Sequence, residues 1–214
     1  MGRLKIPEPQ WVTSDDALRE VCTRWKEQAY IAVDTEFVRT TTFYPKAGLI
    51  QVADSEGSVL IDPLEIVDWS PLADIFENPL VVKVFHACAE DLEVCRQLTG
   101  VMPTPLSDSQ LGGALAGLGG IMGFQRIVKE ILNINLPKEE TRSDWLKRPL
   151  REEQIEYAVA DVHYLYRLYP KLMSRLKKLN RQNWLAEECE RLLRTSAKND
   201  NAANYYRRVK LAWK

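Results

Sequence analysis

No stretch of this 214-residue chain approaches the run of about 18 apolar residues that spans a bilayer, so no membrane-crossing helix is expected. The opening Met1-Gly2-Arg3-Leu4-Lys5-Ile6-Pro7 carries no apolar signal core. Ile6 also stands where an N-myristoylation motif needs Ser or Thr, so that anchor is not expected. Cysteine is scarce. Cys22, Cys88, Cys95 and Cys189 make no C-x-x-C pair and no secreted disulfide framework, which points to reduced thiols in a cytoplasmic protein. His86, Cys88, Asp91 and Cys95 fit no common zinc spacing. Six of the ten glycines lie between Gly112 and Gly123, yet they form no nucleotide loop. Met122 stands where Gly117-x-Gly119 would need a third small residue, no strand leads directly into the cluster, and no Gly-Lys-Ser/Thr is present. No Ser/His/Asp or Cys/His set stands out for nucleophilic catalysis.

What is present is ordinary in bulk: 45% hydrophobic and 28% charged residues, enough for one large domain, or one domain with a short extension. The net charge of −1 hides a split. Residues 1–170 hold 17 basic against 26 acidic side chains, a balance of −9, and residues 171–214 hold 12 against 4, a balance of +8. Such a basic segment is either a solvated helical surface or an attraction for a polyanion.

In chain order, residues 10–12 read as a short strand, and Thr13 is placed to cap a helix with Asp15 and Asp16 in its first turn. Residues 30–37, 49–53 and 59–62 read as strands of an antiparallel meander. Helix 71–77, strand 80–85 and helix 89–98 follow, then helices 108–118 and 124–133. The segment 138–148 reads as a polar surface crossing around a packed Trp145. A long helix over 151–178, bent at Pro170, carries the apolar stripe Ile155, Ala158, Val159, Val162, Leu165, Tyr166 and Tyr169. A last helix covers 182–194, residues 195–203 read as a linker, and a basic, Trp-containing pattern begins at 204 and stops at 214. That ending in mid-pattern suggests a longer parent protein. The fold class expected is α/β, a mixed sheet with antiparallel strands at one edge and helices packed on it.

The chemistry centres on acids. Side chains alternate along a strand, so Asp34 and Glu36 share one face at the end of strand 30–37, while Thr35 takes the other. Two adjacent carboxylates repel unless a cation lies between them, and hard oxygen ligands suit Mg²⁺ or Mn²⁺. Asp91 follows strand 80–85. Asp161 lies on the flank of the long helix, with Tyr157 one turn before it. The set of D-x-E on a strand, Asp after a second strand and Y-x-x-x-D on a helix resembles the DEDD exonuclease superfamily, in the subgroup with Tyr in its third motif. Wider segments narrow the likeness. Asp34-Thr35-Glu36-Phe37-Val38-Arg39-Thr40, Gly48-Leu49-Ile50-Gln51, Thr141-Arg142-Ser143-Asp144-Trp145-Leu146 and Tyr157-Ala158-Val159-Ala160-Asp161-Val162 are similar to bacterial ribonuclease D, from about residue 10 to the end.

That resemblance implies a ribonuclease H-like 3′-5′ exonuclease fold and a metal-dependent 3′→5′ exoribonuclease. It would trim single-stranded 3′ ends of tRNA and other structured RNA precursors and release nucleoside 5′-monophosphates. By motif match, Asp34, Glu36, Asp91 and Asp161 hold two divalent ions, Mg²⁺ or Mn²⁺, and Tyr157 orients the attacking water. Two such ions suit an anionic phosphodiester, one for the water and one for the leaving oxygen. Phe37 either stacks a terminal base or fills core, and His86 either approaches phosphate or sugar or simply packs. Gln51 is a candidate for sugar or backbone contact, and Lys138 and Arg142 for the RNA backbone. Asp108 is read as a helix cap. Residues 1–195 are expected to form the catalytic domain. Residues 196–214 are expected to form a linker and the truncated start of a helical extension resembling an HRDC domain. A monomer is expected. The alternatives are a DNA 3′→5′ exonuclease with the same acids and a non-catalytic RNA-binding module.

Overall fold

The computed structural model describes residues 6–39, 44–136 and 143–198. Six strands form one mixed sheet in the order β1-β4-β3-β2-β5-β6. They are β1 (Gln10–Val12), β2 (Tyr30–Val38), β3 (Lys46–Ala53), β4 (Ser58–Ile61), β5 (Val82–Phe85) and β6 (Leu106–Asp108). The meander β2-β3-β4 is antiparallel as expected. It does not form the edge itself, because β1 pairs with β4 in parallel and lies outside it. On the other side β5 and β6 extend the sheet in parallel. β6 is the element missed in the sequence: Leu106-Ser107-Asp108 is short and runs straight into a helix, so its turn-forming residues read as the helix start.

Helices α1 (Asp15–Trp25), α2 (Ser70–Glu77) and α3 (Asp91–Thr99) bring Leu18, Leu72 and Leu92 into one core with Ile31, Val33, Ile50 and Val52. Ser14, not Thr13, caps α1, its hydroxyl accepting from the Ala17 amide at 3.3 Å. Helices α4 (Ser109–Leu115) and α5 (Phe124–Leu132) follow β6, and Asp108 caps α4 by accepting from Gln110 and Leu111 amides. The long α6 (Glu152–Lys178) runs unbroken through Pro170. Its first half lies on the opposite face of the sheet, where Ala158 and Val159 meet Leu49 and Leu60, and Val162 and Leu165 meet Ala32, Ala53 and Val84. Tyr166 and Tyr169 flank Tyr30, with ring centroids 4.6 and 4.9 Å away. The last helix, α7 (Gln182–Lys198), continues past residue 194, so the linker does not begin at Thr195. The HRDC-like pattern lies outside the described residues.

One irregularity matters below. The β2–β3 register shifts between Glu36 and Phe37, whose partners are Leu49 and Ala47, and this leaves Gly48 as a bulge. The Trp145 backbone docks on it so closely that a Cβ on Gly48 would lie 2.6 Å from the Trp145 carbonyl oxygen. Arg148 fixes this docking. Its guanidinium donates to both Asp62 oxygens at 2.6 and 2.7 Å, to the Gly48 carbonyl at 2.7 Å and to the Trp145 carbonyl at 2.8 Å. Trp145 is buried against Leu49, Leu60, Ala158 and Val159, as its role of packed anchor requires.

Candidate active site

Strand β2 outruns its parallel neighbour. Pairing with β5 ends at Ala32–Val84, whereas pairing with β3 continues to Val38. The last residues of β2 therefore have an open flank at the carboxyl ends of the parallel strands, where α/β sheets commonly bind ligands. The alternation along β2 sends Asp34 and Glu36 toward α6 and Thr35 toward α3. From α6, Asp161 joins the first two, and one oxygen from each of Asp34, Glu36 and Asp161 lies within 4.8 Å of the others. All three are half-buried.

Asp91 arrives from the other layer. The β5–α3 connection turns through Ala87, which adopts a left-handed conformation (φ 58°), and Asp108 secures the turn by accepting from the Cys88 amide at 3.0 Å. This aims the start of α3 at the end of β2. The Thr35 hydroxyl donates to Asp91 at 2.6 Å. Thr35 is a residue the sequence reading passed over. The D-x-E spacing marked its face, but no local pattern reveals a partner 56 positions away. Asp91 lines the same pocket as the other acids but is not part of the tight three-acid group.

The electrostatics favour a bound cation. Burial, then Asp91, Asp161 and Glu36 in that order, hold the Asp34 carboxyl well above the usual range. Burial, then Asp161 and Asp91, push Glu36 up to about 9. Burial also lifts Asp91, to about 6, although the Thr35 hydroxyl favours its ionised form. Burial, then Asp161, Glu36 and Asp34, raise the Tyr157 phenol, which also hydrogen-bonds Asp161. Such a cluster takes up protons or a cation, and its all-oxygen donor set fits a hard divalent ion.

These groups line a cavity of about 340 Å³, which Phe37, His86, Gln110 and Phe124 also line. Gln110 and Phe124 were not singled out in the sequence. Both His86 ring nitrogens are engaged, Nδ1 with the Ser109 hydroxyl at 2.8 Å and Nε2 with the Met122 carbonyl at 3.1 Å. A carbonyl only accepts, so Nε2 carries the proton and Nδ1 accepts from Ser109. Burial lowers the ring's pKa and keeps it neutral. Gln110 donates to the same Met122 carbonyl at 2.9 Å, and together they pin the loop that walls the site. Gln51 does not reach the cavity: it is fully buried, which rules out the sugar or backbone contact expected of it. Lys138 and Arg142 lie outside the described residues.

Residues 9–177 match the family model described as 3′-5′ exonuclease. The chain belongs to this 3′-5′ exonuclease family. It is 49% identical over 208 residues to ribonuclease D of Pseudomonas paraeruginosa, covering 97% of this chain and 55% of that one. The crystal structure of Escherichia coli RNase D, described as an exoribonuclease involved in structured RNA processing, aligns with a TM-score of 0.86 at 44% identity, covering 89% of this chain and 51% of that one. The catalytic core of RRP6 from Trypanosoma brucei aligns with a TM-score of 0.79 at 23% identity, over 90% of this chain and 53% of that one, a likeness of fold. The chain spans about half the length of the ribonuclease D relatives it matches. Over that span the ribonuclease D resemblance and the ribonuclease H-like exonuclease fold read from the sequence are borne out.

Proposed function

We propose that the chain is the catalytic part of a metal-dependent 3′→5′ exoribonuclease of ribonuclease D type. It trims the 3′ ends of tRNA and other structured RNA precursors and releases nucleoside 5′-monophosphates. The observation that carries this reading is the convergence of Asp34, Glu36 and Asp161 oxygens within 4.8 Å, in a cavity that Asp91 and Tyr157 share. These four acids would hold two Mg²⁺ or Mn²⁺ ions, which supply charge neutralisation for the phosphodiester and activation of a water.

The remaining work belongs to the chain. The Tyr157 phenol, its pKa raised by burial and three acids, keeps its proton at neutral pH. It therefore orients a water by hydrogen bonding and does not act as a base. The cavity, about 340 Å³, is of a size to take one terminal nucleotide. Phe37 offers a face for the terminal base. His86 acts through the wall it pins, since both its ring nitrogens are occupied. We assign Lys138 and Arg142 to the RNA backbone on their charge.

We take the catalytic domain to run through the end of α7 at Lys198, beyond the expected boundary at 195. Four buried free thiols suit a reducing cytoplasm, and among the described residues no helix is long and apolar enough to cross a membrane. We take the chain to act as a monomer.

The test is a time course on 5′-labelled single-stranded RNA with Mg²⁺, with Mn²⁺ and with EDTA, beside a matched DNA. A ladder shortening from the 3′ end, abolished by EDTA and faster on RNA, is the expected result. Intact RNA with folded, metal-loaded protein would overturn the reading. Preferential loss of the DNA would move it to a DNA exonuclease.

A further inference from the structure

Gln51 is the residue whose placement the fold leaves unexplained. It sits in the centre of β3, fully buried, and neither its Oε1 nor its Nε2 finds a hydrogen-bond partner among the described residues. Its side chain points under α6, on the same face as Leu49 and Ala53, which pack with Ala158, Val159 and Val162. Across β4 it faces Leu60. These neighbours are apolar, and a leucine would fill the same space without an unpaired, buried amide, which destabilises the fold. The remaining cross-strand neighbour is Asp34, its register partner on β2. Directly paired residues in an antiparallel ladder lie on one face with Cβ atoms about 5 Å apart.

We propose that Gln51 is a positioning residue of the metal centre: its carboxamide donates to the Asp34 carboxylate and holds it in one orientation once a divalent ion is bound. The proposal rests on the metal-dependent reading above. Ligating carboxylates are commonly held by hydrogen bonds from behind, and loss of such a partner costs about 10- to 100-fold in metal affinity. The structure accounts for the rest. Until the Asp34 carboxylate engages it, the buried amide has no partner among the described residues, and the fold carries its cost as a standing penalty.

This gives the proposal a signature that plain packing would not give. In Gln51→Leu the penalty is gone, so the melting temperature in EDTA equals or exceeds that of the wild type. Mn²⁺ affinity, measured by calorimetric titration of the full chain with Mn²⁺ alone, falls about 10- to 100-fold. Gln51→Met, unbranched and of the same reach, repeats the test in case leucine is refused by the strand. Unchanged Mn²⁺ affinity in a folded variant overturns the proposal. A lower melting temperature in EDTA overturns it too, since it would mean the amide has a structural partner already. A wild type that takes up no Mn²⁺ defeats the metal-dependent reading itself, and this inference with it.

Discussion

Replacing Glu36 by glutamine should make the metal-free protein more stable while destroying its use. Burial and the neighbouring Asp161 and Asp91 push the Glu36 carboxyl up to about 9, against an ordinary value of 4.5. An acid raised in this way keeps a proton that the unfolded chain has released. The native state therefore binds more protons across the window from about 4.5 to about 9, and stability falls as pH rises through it. Taken at face value, a proton retained at pH 8 costs ~5 kcal/mol at 1.36 kcal/mol per pH unit. Glu36 is only partly buried, so solvent screens the effect, and about 1–2 kcal/mol is expected. For a chain of this size that corresponds to roughly 2–8 °C in melting temperature. The assay is calorimetric melting in EDTA at pH 5 and pH 8. Glu36→Gln should melt higher than wild type at pH 8, and the gap should nearly close at pH 5, where both side chains are neutral. Adding Mn²⁺ should raise the wild type far more than the variant. A variant that melts lower than wild type at pH 8 without metal would refute the account of a crowded, cation-hungry site.

Asp34→Asn should keep the far-ultraviolet circular dichroism of the wild type and lose RNA hydrolysis by on the order of 10³-fold or more, since several kcal/mol of transition-state stabilisation depend on its ligation; wild-type-like turnover would remove Asp34 from the site. In Tyr157→Phe the water loses its guide, so single-turnover rates should drop about 10²-fold with Mn²⁺ affinity intact. Arg148→Met strips Asp62 of its partner and should cost about 2–4 kcal/mol in urea unfolding. Asp62 adds a pH signature. Burial raises its pKa, but hydrogen bonds from Arg148 and the Leu64 amide and the charge of Arg148 outweigh this and lower it. Its contribution is therefore present above 3.8 and is lost as pH falls through the lowered value, and that acid dependence should vanish in the variant. Gly48→Ala puts a methyl 2.6 Å from the Trp145 carbonyl oxygen. Backbone must move, at a cost of about 1–3 kcal/mol, and because the Trp145 ring lies 6.4 Å from that of Tyr157, turnover should fall with stability.

Periodicity was a good guide wherever a residue's partner was local. Asp34 and Glu36 share a face because a strand alternates, and Tyr157 meets Asp161 because a helix turns every 3.6 residues. The meander was legible for the same reason. What failed was depth and distance. Gln51 lies on the face of Asp34, as alternation requires, but no pattern tells that α6 seals it from the cavity. Thr35 was dismissed to the far side of the sheet, where Asp91 awaits it. β6 is three residues long and merges with the cap of α4, so its pairing with β5 is a tertiary fact with no local trace.

Asp161 rides on a helix that packs one face of the sheet, and Asp91 on a helix that packs the other, while Asp34 and Glu36 belong to the sheet between them. On the proposed function, cation binding across these four acids would act as a rivet through three layers. It would reinforce a join that α6 already makes, since Ala158, Val159, Val162 and Leu165 lie in the cores on one side and Ala160, Tyr164 and Leu168 in the core that holds α1, α2 and α3. The proposed site would then also be a clasp of the fold, tightening the grip of both helix layers on the one strand they share.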